Sequence, residues 1–299
     1  MNILNTRVYR IIVPKFFRKK IVSRVLRAKI LAYYSTFKEP LAEEVKTVLD
    51  YVENSRIAMI PYYFQDEYSE DNIEVFYDRE TGLRFVMHEG KRLYFKKRWS
   101  KKRIRLSYSE LRREQDIRSP HCYETDGFKV EKGDVLVDIG AAEGIFALSN
   151  VEQAEQIVLF ESSKEWLEPL AATFGPWIGK VTIVNKFVGD VTNTKCVTLD
   201  DYFLPEEKLS FLKIDVEGAE SRLLNGCKRI LSKVKSLKVA ICTYHNDEDE
   251  VKLNVTLKQN GFETSHSDGF LIIYTDRKLK APYLRRGLIR AVKINIPEA

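Results

Sequence analysis

The chain has 299 residues, 44% of them hydrophobic and 31% charged, and it carries a formal net charge of +6. This composition is typical of a globular protein and argues against a disordered chain, and neither a low-complexity segment nor an internal repeat occurs. Because no run of about 18 apolar residues is present, we expect no transmembrane helix.

Cysteine and histidine usage bears on metal binding and on the cellular compartment. The four cysteines are scattered without a C-x-x-C pair, and only four histidines occur. A structural zinc site is therefore not expected, and we predict no metal ligands. Scattered thiols are typical of a reducing compartment, and the N-terminus lacks the apolar run of a signal peptide. These features predict a cytoplasmic protein.

Residues 1–35 form a basic and amphipathic segment. Ten of the first 40 residues are Lys or Arg, and apolar residues such as Val8, Ile12 and Val25 recur between them at helical spacing. One interpretation is peripheral contact with the anionic inner face of the membrane, where each nearby cation adds about 1 kcal/mol. The alternative is a helix that packs on its own domain, and we favour it because most amphipathic helices face a core.

Residues 41–110 combine a helix with hairpins and a basic cluster. A helix is predicted over 41–53, and strands at 75–78, 83–88 and 93–95 are separated by turns at Gly82 and Gly90. Residues 91–105 hold nine cations and no acid. Such a cluster around Trp99 suits a nucleic-acid surface, but a solvated ribbon or one that faces an acidic substrate is the favoured interpretation.

The segment 111–134 leads into the first long apolar run. It contains His121, which directly follows Pro120. A polar segment in this position could fold over a ligand, so His121 is a candidate functional residue. The alternative, which we favour, is an ordinary surface or capping histidine in a turn.

Residues 135–161 have the pattern of strand, glycine turn, helix and strand. The apolar run 135–137 ends at Asp138 and is followed by Gly140 and Gly144, and a second apolar run ends at Glu161. Continuous apolar runs on both sides of a helix predict parallel strands buried on both faces. Glycines at such a turn let the backbone approach a ligand, and an acid about 20 residues further on can bind ribose hydroxyls. The stretch therefore predicts half of a nucleoside-binding site.

The pattern favours S-adenosylmethionine (SAM) over a dinucleotide as the nucleoside. The G-x-G-x-x-G fingerprint needs glycine at 140, 142 and 145, but Ala142 and Ile145 occupy the last two positions. Glu143 would repel a pyrophosphate, whereas it tolerates the sulfonium and ammonium groups of SAM. The alternative is a βαβ unit whose glycines only shape a turn.

The rest of the chain alternates helices and strands, as in a doubly wound sheet. Helices are predicted over 163–174, 219–224 and 249–260, and strands over 181–184, 209–215, 238–243, 262–265 and 270–274. Asp268-Gly269 between the last two strands is a hairpin-type turn. Asp190 follows a short apolar run and is placed where it could reach the adenine amine.

Five segments resemble the FkbM-type family of SAM-dependent methyltransferases. They are residues 133–149 (GDVLVDIGAAEGIFALS), 160–162 (FES), 197–203 (VTLDDYF), 211–220 (FLKIDVEGAE) and 241–245 (ICTYH). The resemblance covers about residues 111–275, and KIDVEGAE after TLDD is quite specific. It implies an α/β fold with a Rossmann-like, seven-stranded class I methyltransferase sheet, helices on both faces and an antiparallel edge. Members of the family typically methylate hydroxyls of sugars or natural products.

The resemblance also implies a cofactor site. The residues that would surround the methionine end of SAM are Asp138, Gly140, Ala141, Glu143 and Gly144. Glu161, followed by Ser162, would hold the ribose, and Asp190 would bind the adenine amine. The family pattern often has an acid before the final histidine of the fifth strand. Tyr244 stands there in this chain, which argues against a metal role at that position.

Three residues at or just past the carboxyl ends of predicted strands are candidates for catalysis. A sugar hydroxyl is a poor nucleophile until its proton is accepted, and His245, with an ordinary pKa of about 6.5, suits a general base at neutral pH. Asp215 could orient this histidine or contact the acceptor. Glu217 could form a hydrogen bond with the acceptor or, together with Asp215, hold a hard cation through oxygen ligands. The alternative is that both acids cap the helix that follows them.

We therefore predict a basic N-terminal extension (1–110) for acceptor or membrane contact, a methyltransferase domain (111–275) and a basic C-terminal tail (276–299). The predicted function is SAM-dependent O-methylation of a sugar hydroxyl in a glycan, glycolipid or natural-product precursor. Two alternatives stay open. One is an RNA methyltransferase, although no N-P-P-Y base-clamping motif occurs and nucleic acid is not the expected partner. The other is a non-catalytic scaffold with a SAM-binding fold.

Overall fold

The structure is a computed structural model that describes residues 15–276 and 278–293. It begins with helix α1 (Lys15–Tyr34), which confirms a helix in the basic N-terminal segment. The predicted contributions of Val8 and Ile12 lie outside the described residues. Helix α2 (Glu43–Asn54) follows at the predicted position.

Helix α1 packs on the rest of the protein through one face. Leu26, Ile30 and Tyr34 are spaced four residues apart, so they share a face, and all three are buried. They belong to one hydrophobic cluster with Val48 of α2 and with Ile272. This apolar face is therefore satisfied within the chain, as the favoured alternative expects, and membrane contact stays a prediction.

The two predicted hairpin turns are confirmed in a three-stranded antiparallel sheet of β1 (Phe76–Tyr77), β2 (Arg84–His88) and β3 (Lys91–Phe95). The connection between β2 and β3 consists of Glu89 and Gly90, both with positive φ (49° and 78°). Such a two-residue loop matches the right-handed twist of the strands it joins.

Part of the basic cluster is helical rather than a ribbon. Helix α3 (Lys101–Glu114) begins after Ser100, whose side chain accepts a hydrogen bond from the Arg103 backbone N–H (3.2 Å). Its apolar face buries Ile104 and Tyr108. The C-terminal end of α3 lies beside the central sheet and brings Glu114 to the site described below.

A seven-stranded sheet forms the core of the remaining chain, and a separate two-stranded pair lies beside it. The strands from this point are β4 (Val135–Ile139), β5 (Gln156–Phe160), β6 (Val181–Val184), β7 (Phe187–Val188), β8 (Cys196–Val197), β9 (Phe211–Ile214), β10 (Leu237–Cys242), β11 (Glu263–His266) and β12 (Leu288–Lys293). The order across the large sheet is β11-β12-β10-β9-β4-β5-β6. Strand β12 is antiparallel to both its neighbours, and the other pairs are parallel. The predicted class I methyltransferase sheet with an antiparallel edge is confirmed.

The seventh strand, however, comes from a different segment than predicted. Residues 270–274 form no strand and make only an isolated bridge between Leu271 and Arg285. Their apolar pattern has another cause, because Leu271 and Ile272 are buried in separate hydrophobic clusters. Strand β12 takes the place in the sheet, so the prediction of a basic tail from residue 276 is corrected as far as Lys293.

Helices cover both faces of the large sheet. They are α4 (Ile145–Ser149), α5 (Leu167–Phe174), α6 (Leu199–Tyr202), α7 (Glu220–Asn225), α8 (Lys228–Lys233) and α9 (Asp249–Gln259), with 3-10 turns at Tyr63–Glu67, Lys164–Trp166 and Gly175–Trp177. Alternate residues of β4 belong to different cores. Leu136 packs in the cluster with α4 and α5, and Val137 packs in the cluster with α7, α8 and α9. Among the described residues, no helix is long and apolar enough to cross a membrane.

Candidate active site

A cavity of about 400 Å³, here called the inner cavity, lies at the carboxyl ends of β4, β9 and β10. Open α/β sheets bind their ligands at this edge. Seven of the residues predicted from the sequence line it: Asp138, Gly140, Ala141, Glu143, Asp215, Glu217 and His245. The structure therefore brings the predicted catalytic and methionine-binding groups into one cavity.

The glycines of the turn after β4 are required by packing against protein atoms. Gly140 has φ +78°, and a Cβ there would lie 1.9 Å from the backbone oxygen of Asp215. Gly144 has φ +82°, and its Cβ would lie 2.8 Å from the ring of Phe174. Both glycines thus have a packing role, and their role at a ligand stays a prediction. Ala142 also takes a left-handed conformation (φ +48°) and lines the inner cavity.

Asp138 forms a buried ion pair under this turn. Its Oδ1 lies 2.9 Å from Nζ of Lys213, which also donates a hydrogen bond to the backbone oxygen of Gly140 (2.8 Å). Burial lowers the pKa of Lys213, but attraction to Asp138 and Asp215 outweighs it, and the net pKa is raised. Lys213 is therefore a cation that ties two strand ends to the glycine turn.

Asp215, just past the end of β9, is the centre of a polar cluster. Its Oδ2 accepts a hydrogen bond from the Tyr123 hydroxyl (2.8 Å) and lies 3.8 Å from Nε2 of His121. Burial raises the pKa of Asp215, but Lys213 and neighbouring histidines outweigh it, so the carboxylate is ionised at neutral pH. Burial lowers the pKa of His121 to about 4, and its Nε2 lies 3.0 Å from the Tyr244 hydroxyl. His121 is thus a neutral, buried histidine.

His245, just past β10, is held between carboxylates on both ring nitrogens. Its Nδ1 lies 2.8 Å from Oε1 of Glu220, a fully buried side chain. Its Nε2 lies 3.6 Å from Oδ1 of Asp215 and 3.6 Å from Oε2 of Glu217. Burial lowers the pKa of His245, but the Glu220 contact and the other carboxylates outweigh it and raise the pKa above its ordinary value. The ring is therefore oriented with Nε2 toward the inner cavity.

Glu220 is the first residue of α7, and its side chain bonds to the loop that precedes the helix. Its Oε1 accepts hydrogen bonds from the backbone N–H groups of Val216 (3.2 Å) and Gly218 (3.4 Å), just before α7 begins. Within the described residues, no side-chain hydrogen bond caps the start of α7, so the geometry does not support the alternative in which Asp215 and Glu217 cap this helix. The Glu217 side chain is 93% exposed, so it lies at the solvent side of His245.

Glu161, at the end of β5, is engaged with the backbone. Its Oε2 accepts a hydrogen bond from the Ala142 N–H (2.9 Å), and its Oε1 accepts one from the Ser163 N–H (2.6 Å). A carboxylate oxygen can accept more than one hydrogen bond, so these contacts leave room for ribose hydroxyls. Ser162 contributes a backbone oxygen to the Asn185 side chain (3.1 Å). The ribose roles of Glu161 and Ser162 stay predictions.

Asp190 lies apart from the inner cavity. It forms an exposed ion pair with Arg222 (2.9 Å), and this partner lowers the pKa of the carboxyl. Asp190 is absent from the described lining of the inner cavity. The prediction that it binds the adenine amine therefore receives no support from the geometry.

The charges of the inner cavity fit a cationic ligand such as SAM. Burial raises the pKa of the Glu143 carboxyl to about 7. Burial disfavours the ionised form of this carboxyl, and a sulfonium or ammonium group that binds beside it would favour that form. The volume also lies within the range of small-molecule sites, about 300–1,000 Å³. Residues 140–143 line the inner cavity and would hold such a ligand, whereas Gly144 and Glu161 are absent from its described lining.

Two groups of side chains come close enough to hold a metal ion. Possible ligand atoms of Asp215, Glu220 and His245 lie within 4.8 Å of one another, as do those of His121, Asp215 and Cys242. In the first group, however, the 2.8 Å contact pairs the nitrogen of His245 with the oxygen of Glu220. By its geometry the contact is an ion-pair contact and not a hydrogen bond.

Three functional residues escaped the sequence analysis. Lys213 was recognisable as a charged residue inside an otherwise apolar, buried strand, where an ionic partner is needed. Glu220 lay within the quoted KIDVEGAE segment, but its contact with His245 joins two different strand ends. Glu114 lies in the polar segment 111–134 that was predicted to fold over a ligand, but no pattern singled it out, because its place in the cavity depends on long-range packing.

Comparisons with known proteins are consistent with this geometry. The family model for the methyltransferase FkbM domain matches residues 138–266. Among solved structures, the chain is similar to methyltransferase FkbM from Methylobacillus flagellatus KT, with 19% sequence identity and a TM-score of 0.44. That match covers 56% of this chain and 45% of the other, so the chain spans less than half the length of that protein.

Two further solved structures are also similar to this chain. An rRNA methylase from Streptococcus thermophilus matches with 12% identity over 56% of this chain and 90% of the other, at a TM-score of 0.38. A precorrin-6y C5,15-methyltransferase from Geobacter metallireducens GS-15 matches with 12% identity over 56% and 85%, also at 0.38. No curated protein matches the sequence.

Proposed function

We propose that this chain, whose residues 138–266 match the family model of the methyltransferase FkbM domain, methylates a sugar hydroxyl in a glycan, glycolipid or natural-product precursor. The observation that supports the proposal is the placement of His245 in the inner cavity. Its Nε2 faces the cavity, and buried Glu220 fixes its Nδ1 at 2.8 Å. An oxygen acceptor needs a base of this kind to take up its proton.

The inner cavity has the groups needed to position the two reactants. Bound SAM supplies a methyl group on a positively charged sulfonium. Residues 140–143, which line the cavity, would hold the methionine end, with Glu143 as the anionic partner of the cationic groups. Lys213 and Asp138 keep this turn fixed to the end of β9 through their buried ion pair. Positioning of this kind lowers the barrier by roughly 7–11 kcal/mol at best.

His245 acts as the general base. It would accept the proton of the acceptor hydroxyl at Nε2, and SAM, when bound, would supply the methyl group that replaces this proton on the oxygen. Asp215 and Glu220, which flank the ring, stabilise the imidazolium that results. General-base catalysis contributes about 10²–10⁴-fold to such reactions. Asp215 also orients the site through its hydrogen bond from Tyr123.

Transfer of radiolabelled methyl from SAM into a saccharide extract of the source cell tests this function. We expect the wild-type protein to label material that resists nuclease and is released by glycosidases. His245→Gln removes the base and is expected to reduce the rate about 10²-fold or more while SAM still binds. His266→Gln is the matched control, since His266 lies on the edge strand β11, outside the inner cavity. Labelling at the wild-type rate in His245→Gln would contradict the proposed mechanism.

RNA is the second candidate acceptor, and one observation favours it. The Arg103 guanidinium lies 4.3 Å from the centroid of the Trp99 ring, beside Lys101 and Lys102, both exposed. Stacked cations and aromatic rings are typical of nucleic-acid surfaces. However, Lys96 and Lys97 of the same cluster are paired with acids (3.2 and 3.8 Å). Labelled product that disappears on nuclease treatment would favour RNA over a saccharide.

A further inference from the structure

A second and larger cavity adjoins the inner cavity. This outer cavity has a volume of about 940 Å³ and is lined by α1, α2, residues 54–60 and α3. Met59, Glu114 and Tyr274 line both cavities, so the two are neighbours that share a wall. The volume is at the upper end of the range for small-molecule sites. The outer cavity is therefore large enough for an extended acceptor beside the methyl donor.

Three guanidinium groups of the outer cavity lack acidic partners. Within the described residues, no carboxylate lies within 4.0 Å of a side-chain nitrogen of Arg27, Arg56 or Arg113. Arg27 and Arg113 instead donate to neutral oxygens of Ser55 and Gln65. By contrast, several arginines elsewhere form ion pairs: Arg118, Arg222, Arg285 and Arg286. A group of guanidiniums without carboxylate partners is suited to bind an anionic group.

Among the described residues, the acids that line the outer cavity form no ion pairs with these arginines. Burial raises the pKa of Glu114 to about 8, so this carboxyl is mostly protonated at pH 7. Burial also raises the pKa of Glu110. Asp66 and Glu70 are exposed and form no ion pair within 4.0 Å among the described residues. At the boundary with the inner cavity, the protonated Glu114 is therefore able to donate a hydrogen bond.

Aromatic side chains complete the outer cavity. Tyr51, Tyr68 and Tyr274 line it, and Tyr274 lies at the boundary with the inner cavity. Tyrosine presents an apolar ring face together with a polar hydroxyl. Such side chains suit a sugar, whose ring has an apolar C–H face and a rim of hydroxyls.

We propose that the outer cavity is the acceptor site and that it binds a saccharide carrying an anionic group, a phosphate or a carboxylate. Arg27, Arg56 and Arg113 bind the anion, and the reacting hydroxyl passes Glu114 to reach Nε2 of His245. This inference rests on the proposed O-methyltransferase function, because the same acceptor must reach the inner cavity. It explains why the N-terminal extension is built onto the methyltransferase domain: α1, α2 and α3 form the acceptor side of the site.

Calorimetric titration of the full chain tests this proposal without any methyl transfer. The probes are glucose 1-phosphate and glucuronate, with glucose and inorganic phosphate as the neutral and sugar-free comparisons. We expect at least one anionic saccharide to bind about tenfold or more tightly than both comparisons, since charge-assisted hydrogen bonds are the strong ones. If neither anionic saccharide binds more tightly than glucose, the proposal is refuted. If inorganic phosphate binds as tightly as both, the saccharide part is refuted.

Matched variants locate the site. Arg56→Gln changes an exposed side chain and Arg113→Gln a half-buried one, and each is expected to weaken the anionic saccharide about tenfold. Arg222→Gln, on the exposed pair with Asp190, should leave binding unchanged. Equal affinity in all three variants would overturn the assignment of the outer cavity. SAM titration on the same samples separates the two proposals: intact SAM binding without saccharide binding refutes only the acceptor site, and the reverse result refutes only the methyltransferase function.

Discussion

Replacing Glu220 with glutamine tests whether the buried carboxylate positions His245 as a base. Glu220 is fully buried, and its Oε1 lies 2.8 Å from Nδ1 of His245. A buried contact between charged groups, like a hydrogen bond to a charged group, contributes about 1.5–3 kcal/mol, and each 1.4 kcal/mol is a factor of ten in rate. The Glu220→Gln change removes the charge that stabilises the imidazolium formed in the transition state. We therefore expect kcat to fall about 10- to 100-fold.

The pH dependence gives this prediction a second readout. A general base must be neutral, so activity rises with pH through the pKa of His245. In the wild type this pKa is raised, because the contact with Glu220 and the nearby carboxylates outweigh burial. Glu220→Gln lowers the pKa of His245, so the rising limb of the kcat profile should move to lower pH while its plateau drops.

Steady-state kinetics from pH 5 to 9, with SAM affinity measured on the same samples, distinguish positioning from structure. SAM affinity and the melting temperature should change little, because glutamine preserves the shape of the side chain and an oxygen for the backbone N–H groups of Val216 and Gly218. An unmoved pH limb with unchanged kcat would refute the positioning role. A loss confined to the melting temperature would show that Glu220 only stabilises the loop before α7.

Three further predictions concern the cofactor turn. The affinity for SAM should fall as pH drops below about 7, because the pKa of Glu143 is about 7 in the free protein and a cationic ligand favours its ionised form. Binding should then release protons, which calorimetry in different buffers detects. An affinity that does not change with pH would contradict this prediction. Gly140→Ala should destabilise the protein by about 3 kcal/mol or more in urea unfolding, since the added Cβ would lie 1.9 Å from a backbone oxygen. The control Gly90→Ala, where no atom lies within 4 Å of the added Cβ, should cost only about 1 kcal/mol. Equal losses of stability in the two variants would refute the packing role of Gly140. Lys213→Met should lower the free energy of unfolding by about 3–5 kcal/mol, because it leaves the Asp138 carboxylate buried without its partner. A melting temperature equal to that of the wild type would refute the stabilising role of this ion pair.

The sequence predicted the central sheet because its signal is local. Strands buried on both faces read as short apolar runs, and β4, β5 and β9 were found from such runs. The runs also ended at Asp138 and Asp215, which placed the acids at the functional edge of the sheet. The sequence did not predict β12, because a strand's partners can lie far away in the chain. Residues 270–274 have the apolar pattern of a strand, but Leu271 and Ile272 pack in two hydrophobic clusters and the segment does not join the sheet.

The candidate site was predicted in its residue types but not in its hydrogen bonds. His245 and Asp215 were identified by their places after two strands, and the structure brings them within 3.6 Å. The roles of Gly140 and Glu220 could not be predicted, because each depends on a contact between separate loops: Gly140 with the backbone of Asp215, and Glu220 with His245. The outer cavity was beyond prediction for the same reason, since Arg27 and Arg113 are 86 positions apart in the chain (113 − 27) and meet only through packing.

The most direct test of the central claim is a single-turnover assay of methyl transfer with SAM prebound to wild-type and His245→Gln protein. We expect both proteins to bind SAM with similar affinity and the wild type to label a saccharide acceptor. The variant should label it at a rate at least about 10²-fold lower. Equal single-turnover rates would show that His245 is not the base. A folded wild-type protein that fails to bind SAM would contradict the assignment of the inner cavity itself.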